Sequence, residues 1–201
     1  VVRYGYGYLQ GIDAAAAELG NADQVTVEYV YGNQFYGDGD ITAYMDNWYQ
    51  TLGVEVVFAC GGGIYNSAAE AAAKVEGAKV IGVDVDQSGI IDSGYGEGMT
   101  VTSAMKGLAA TVKTMLAEVK AGNFANYGGK IDTLGLVSEN PEENYVQIPT
   151  ASTQFEDGKF TADDYAALVA AMFDGTVTVS NDITAMPAVT NVNVEDLGNL
   201  K

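Results

Sequence analysis

The ten residues 79–88, KVIGVDVDQS, constrain the fold most, because they join a buried strand to two carboxylates at its end. The apolar run 80–83 is typical of a strand covered on both faces, as in a parallel sheet. Asp84 and Asp86 follow at the carboxyl end, the edge where open α/β sheets bind ligands. The sequence therefore predicts a polar site at this strand end.

Strands and helices alternate through the first half of the chain. Predicted strands cover residues 24–31, 54–59 and 80–85, and predicted helices cover 4–19, 41–52 and about 67–75. This βαβαβ order indicates an α/β fold with a parallel sheet flanked by helices. The glycine-rich loop 61–63 ends the second strand, so it is expected beside the two carboxylates.

The second half of the chain has a weaker pattern. Residues 87–98 break the alternation, 99–102 form a short strand or crossing segment, and 103–120 form the longest predicted helix. Three further strands (130–137, 145–148 and 176–179) and one further helix (165–173, after a capping-box pattern at 161–164) are predicted, and 183–201 is irregular. These strands are too few for a separate sheet, and an unpaired edge favours dimerisation.

The amino-acid composition limits the classes of function and partner that we expect. The chain has 9 basic and 27 acidic residues, a net charge of −18, whereas nucleic acids and anionic membranes are bound by clustered Lys and Arg. It has no histidine, the usual general base, and one cysteine, Cys60, which allows no internal disulfide. We therefore expect no nucleic-acid partner, no metal site and no cofactor.

Two more features stand out as candidate ligand contacts. Phe35 and Tyr36 lie in a glycine-rich loop directly after a strand, where an aromatic ring is able to stack on a flat ligand. Lys106 lies early in the predicted long helix, beside the expected cleft. A lysine there carries weight because the chain has so few basic residues.

Two alternatives to ligand binding stay open at the strand end. Asp84 and Asp86 fit the Asp-x-Asp of a haloacid-dehalogenase-type phosphotransferase, with one Asp as nucleophile and the other as acid/base. That chemistry needs Mg²⁺, a lysine (Lys106 or Lys130) and a further acidic pair such as 163–164. The other alternative is structural, with both carboxylates capping a turn.

Five segments, taken in order, resemble the basic membrane protein family of bacterial lipoproteins, which includes purine nucleoside receptors of ABC transporters. They are Tyr8–Gly11, Gly32–Phe35, Phe58–Gly63, Ile81–Gln87 and Thr102–Lys106. The resemblance implies a binding protein, not an enzyme, with a type I periplasmic-binding-protein fold that holds a solute between two lobes. Residues 1–100 would form the second lobe, and residues 101–201 the crossing helix and segments returning to a first lobe that begins before residue 1.

The resemblance also implies roles for individual residues. Phe35 would stack on a base, Gly62 with Asp84 or Asp86 would hold ribose hydroxyls, and Lys106 would contact the ligand from the crossing helix. The aromatic loop has one residue more than the family pattern, so another nucleoside or a sugar stays an alternative solute. An ABC permease would be the protein partner, and a lipid anchor outside this sequence would hold the protein at the extracellular face of the membrane, or it would be periplasmic.

Overall fold

The computed structural model describes residues 1–200. Its helices are α1 (Val2–Leu19), α2 (Gly39–Asn47, continued by a π-helical turn, Trp48–Leu52), α3 (Tyr65–Ala72), α4 (Ser88–Tyr95), α5 (Leu108–Lys120) and α6 (Ala162–Phe173). Its strands are β1 (Thr26–Tyr31), β2 (Val56–Phe58), β3 (Lys79–Asp84), β4 (Thr100–Lys106), β5 (Val146–Gln147) and β6 (Asn193–Asn199). The predicted α/β class, with a parallel sheet flanked by helices, is confirmed.

The strands form two sheets. In the larger sheet the order is β2-β3-β4-β5, with β2, β3 and β4 parallel and β5 antiparallel to β4. In the smaller sheet β1 pairs in parallel with β6. The loops after β1 and β2 are joined by backbone bonds, because the Gly63 N–H donates to Phe35 O (2.6 Å) and the Gly37 N–H donates to Gly63 O (3.1 Å).

The main core lies where α2, α3 and α4 cover the larger sheet. Val80 of β3 and Ile91 of α4 are fully buried there. Alanines of α3, including Ala68 and Ala71, let that helix approach the sheet closely. A smaller cluster around Leu9 packs α1 on the β1-β6 sheet. Burial of β3 on both faces explains its continuous apolar run.

Two sequence predictions around β4 are wrong. Residues 87–98, expected to be irregular, contain α4, whose Ile91 is buried although Gly89 and Gly94 disfavour a helix. The helix expected from residue 103 begins only at Leu108, because residues up to Lys106 pair with β3 and β5. Gly107 separates strand from helix, and a Cβ there would collide with the backbone oxygen of Asn144.

Predictions in the second half are mixed. The strand expected at 145–148 exists as β5, and the capping box of Thr161 and Asp164 begins α6. Residues 130–137 and 176–179 are not strands, and the supposedly irregular 183–201 contains β6. The domain boundary predicted near residue 100 falls at the start of β4. Within residues 1–200, no helix combines the length and the apolar character needed to cross a membrane.

Candidate functional site

The carboxyl ends of β2, β3 and β4 meet at one edge of the sheet. Asp84 of β3 lies opposite Met105 of β4, so Lys106 follows directly beside it. The glycine-rich loop 61–63 comes from β2, and Phe35 is bound to that loop through its carbonyl oxygen. The fold thus brings together residues that are up to 71 positions apart, from 35 to 106, in the sequence.

A cavity of about 40 Å³ opens at this edge. Phe35, Gly62, Asp84 and Lys106 line it, together with Val1, Tyr4, Cys60, Gly61 and Val83. A space of this size holds a water-sized guest, whereas pockets for drug-sized ligands enclose roughly 300–1,000 Å³. A larger ligand would therefore lie against this wall and need a second surface to cover it.

Asp84 ends β3 in an unusual backbone conformation. Its φ is 72°, in the left-handed region, and the Val85 N–H donates to Val83 O (2.9 Å) across it. Asp tolerates this region better than most residues, and such conformations cluster at functional sites. Lys106 Nζ lies 2.5 Å from Asp84 Oδ1. The pair is partly exposed, so it contributes little stability and mainly orients the carboxylate.

The ring of Phe35 is exposed on a loop that several hydrogen bonds stabilise. The side chain is 66% exposed. Gln34 Nε2 donates to Tyr36 O (2.8 Å) and to Asp38 Oδ2 (2.9 Å), and Asp38 also caps the N-terminus of α2. Because backbone groups of Phe35, Tyr36 and Gly37 are hydrogen-bonded, Phe35 offers an apolar face at little cost in loop ordering.

Gln87 connects the three strand ends, and sequence reasoning missed it. Its side chain accepts from the Val83 N–H (2.9 Å) and donates to Gly62 O (2.9 Å), while its own N–H donates to Ser103 Oγ (3.1 Å). It is buried, and a Cβ at Gly82 would lie 2.8 Å from its Oε1. The available signal was a long polar side chain placed directly after the strand-end carboxylates.

Asp86 lies apart from the other predicted site residues. It does not line the cavity, and its carboxylate accepts from the Ser88 N–H (3.0 Å) and from Ser152 Oγ (2.7 Å). Desolvation is the largest influence on the pKa of Asp86 and raises it, but these hydrogen bonds together lower the pKa below its usual value. Asp86 therefore links Ser152 to the end of β3 by a hydrogen bond.

Lys106 differs from its prediction in one respect. It reaches the cavity from the end of β4, not from a crossing helix. Pairing of Lys106 with Val146 of β5 extends the strand through this residue. The ammonium group is consequently fixed next to Asp84 by sheet register.

Two further cavity residues, Tyr4 and Cys60, were not predicted as contacts. The Tyr4 hydroxyl donates to Met105 O (3.3 Å), and burial, followed by the charge of Asp84, raises its pKa. Burial is also the main reason that the pKa of the Cys60 thiol is raised to about 11. Both groups are therefore neutral at pH 7 and supply polar but uncharged surface.

A larger groove of about 330 Å³ lies between α2 and α3. Its polar wall includes Asp46, Glu70, Thr42 and Ser67, and Thr42 Oγ1 donates to Ser67 Oγ (2.9 Å). Lys74 pairs with Asp46 at 2.8 Å. No aromatic side chain lines this groove, so within the described residues it offers less for a flat ligand than the strand edge.

The strand edge supplies a ring face, a glycine loop, a carboxylate and an ammonium group. No group of three or more His, Cys, Asp or Glu side chains in residues 1–200 is arranged to hold a metal ion. No protein-family model matches the chain, and no curated protein is significantly similar to it. The chemistry of the edge is thus the basis for a functional interpretation, and it suits stacking and hydroxyl recognition.

Proposed function

We propose that this chain is a solute-binding protein, not an enzyme, and that it binds a nucleoside at the carboxyl edge of β2, β3 and β4. The observation that carries the proposal is the meeting of Phe35, Gly62, Asp84 and Lys106 around one cavity. A nucleoside combines a flat base with vicinal hydroxyls. An exposed ring matches the base, and a carboxylate matches the hydroxyls.

Asp84 is the central polar contact in this proposal. One carboxylate oxygen, Oδ1, is bound by Lys106. The other, Oδ2, faces the glycine loop, where a Cβ at Gly62 would lie 3.9 Å from it. A ribose hydroxyl placed between Asp84 and Gly62 would donate to Oδ2. Lys106 would hold the carboxylate in position, and would itself donate to a ligand oxygen.

The wider role we propose is solute recognition for an ABC importer. The cavity is a single shallow wall, so tight binding requires a second surface that closes over the solute, as in hinged receptors. The closed form would be the state that a permease recognises. In this proposal the protein works at the extracellular face of the membrane through a lipid anchor, or in the periplasm. It is supported by the resemblance noted above and by the chemistry of the strand edge.

Titration calorimetry with inosine, guanosine, adenosine and ribose, without added metal, tests the proposal. We expect saturable but weak binding of at least one nucleoside, because a single wall makes only part of the contacts. Binding of ribose alone would replace the nucleoside by a sugar. Absence of binding to all four would overturn the proposal. Phosphatase activity that Asp84→Asn abolishes would then favour the Mg²⁺-dependent phosphotransferase.

Matched variants localise the site. We expect Phe35→Ala and Asp84→Ala each to weaken binding at least about 10-fold, a loss of about 1.4 kcal/mol. Tyr36→Ala is the control for the ring, because Tyr36 is equally exposed at 63% but does not line the cavity. Asp86→Ala is the control for the carboxylate. Equal losses for Phe35→Ala and Tyr36→Ala would place the ligand elsewhere.

A further inference from the structure

Helix α5 turns its most apolar side away from the rest of the chain. Its outer face consists of Leu108, Val112, Leu116 and Val119, which are 56%, 56%, 64% and 54% exposed. Their spacing of three and four residues places them in one stripe. Such a stripe normally packs against a core. Here none of the α5 residues is buried.

The opposite side of α5 faces the chain. Thr111, Thr114, Met115 and Glu118 are half-buried there, and the Tyr145 hydroxyl donates to Thr114 Oγ1 (3.0 Å). The helix is therefore held by a mixed, half-buried side, while its most apolar stripe has no cover within residues 1–200. An arrangement of this kind is typical of a helix that contributes to an interface.

The total accessible surface area of the chain is also larger than that of a typical monomer. The chain exposes 11470 Å². A folded monomer of 21.0 kDa is expected to expose roughly 9,000 Å², so the excess is about 2,500 Å². Stable homodimers bury about 1,000–2,500 Å² on each subunit. This excess belongs to the whole chain, and it is as large as the area that each subunit of a stable homodimer buries.

We propose that the α5 outer face is the contact between two copies of this chain. Each copy carries a net charge of −18, so most surface-to-surface approaches are opposed by repulsion. The α5 helix is an exception, because it carries Lys113 and Lys120 against the single, half-buried Glu118. A contact between two copies at this face therefore covers apolar side chains without bringing many acidic residues together. This inference does not depend on the proposed function.

Sedimentation velocity and light scattering of the whole chain test this proposal. The expected mass is twice 21.0 kDa. The double variant Val112→Glu/Leu116→Glu should raise the dimer dissociation constant at least about 100-fold, since it puts four charges into the buried contact. Leu19→Glu is the matched control, because Leu19 is 74% exposed at the end of α1. It should leave the dimer unchanged.

A monomeric wild-type chain would overturn the proposal, and so would open-ended larger species. A dimer that survives the double variant would also overturn it, because the contact would then lie elsewhere. The substituted side chains are exposed, so circular dichroism should show an unchanged fold. Should the double variant nevertheless unfold, Leu108→Lys at the far end of the same stripe repeats the test, again with loss of the dimer expected.

Discussion

Residues 54–106 and residues 108–192 share one chain but follow different packing rules. In the first region strands and helices alternate, and Val80 and Ile91 are fully buried between them. In the second region α5 has no buried residue and Ile131 is fully exposed. Both regions contain helices with apolar residues at helical spacing. The difference shows that an apolar stripe predicts a helix, whereas stability comes from the surface against which the stripe packs.

The largest difference between the two regions should appear when one isoleucine in each is replaced by alanine and the free energy of unfolding is measured. We expect Ile91→Ala to lower the free energy of unfolding by about 2–5 kcal/mol, because it leaves a cavity under α4. Ile131→Ala should change it by less than about 0.5 kcal/mol, because an exposed side chain loses no packing. Urea denaturation followed by circular dichroism measures both. Similar losses would show that residue 131 is covered in solution.

Glutamine side chains provide a second, smaller contrast. Gln87 bonds Val83 and Gly62 in the first region, and Gln147 Nε2 bonds Glu142 O (2.7 Å) and Asn144 O (2.8 Å) in the second. We expect Gln87→Ala to cost about 1–3 kcal/mol, since it leaves buried backbone groups unpaired. It should also weaken nucleoside binding about 10-fold by releasing the glycine loop.

Gln147→Ala is the control, and it should leave the affinity for nucleoside unchanged. Gln87→Glu distinguishes positioning from mere packing. It keeps the size and the acceptor but, when ionised, loses the donor to Gly62 O, so the loop is released without a cavity. If Gln87→Ala were destabilised yet bound nucleoside normally, Gln87 would have no positioning role.

The smallest expected effect concerns the attachment of the second region to α1. Asp13 accepts from the backbone N–H groups of Asn191 (2.6 Å) and Thr190 (2.9 Å), and the bond from Asn191 is the main reason that its pKa is lowered. The Asp13 side chain is only partly buried, so after solvent screening its contribution stays below about 1 kcal/mol.

The sign of the pH dependence follows from this lowered pKa. The contribution of Asp13 is fully present above its ordinary pKa of 3.8, and it is lost as the pH falls from 3.8 through the lower folded value. Hydrogen exchange should therefore show β6 amides loosening below about pH 4 before the β3 amides do. Asp13→Asn should remove this difference. Simultaneous loosening of both strands would contradict it.

The sequence was most informative where a local pattern and tertiary packing agree. The apolar run of β3, its terminal carboxylates and the loop after β2 were all predictable, because a parallel strand must be apolar on both faces and must end at a polar edge. Lys106 was placed beside the correct edge but on the wrong element. Strand and helix patterns both accommodate residues 103–106, and pairing with β3 and β5 decides between them.

Other features depend on contacts that no local pattern contains. The polar sequence of β6, NVEDLGN, gives no strand signal, and its pairing with β1 is made by backbone groups. The residues 130–137, predicted as a strand, join neither sheet, although Gly135 O accepts from the Tyr145 N–H (3.2 Å) next to β5. The role of Gln87 requires three strand ends to be in place. Such features follow from topology, and topology is not visible in a window of ten residues.

The parallel pairing of β1 with β6 has a consequence for the order in which the protein folds. Thr26 lies opposite Asn193, so the pair closes a loop of 193 − 26 = 167 residues. On the ribosome, β1 emerges long before its partner and offers an unpaired edge during that interval. α1 precedes β1 in the chain and packs on that sheet, so it shields one face of β1 while the edge stays unpaired. A chain that stalls before β6 is made would therefore expose an edge to which other strands can pair.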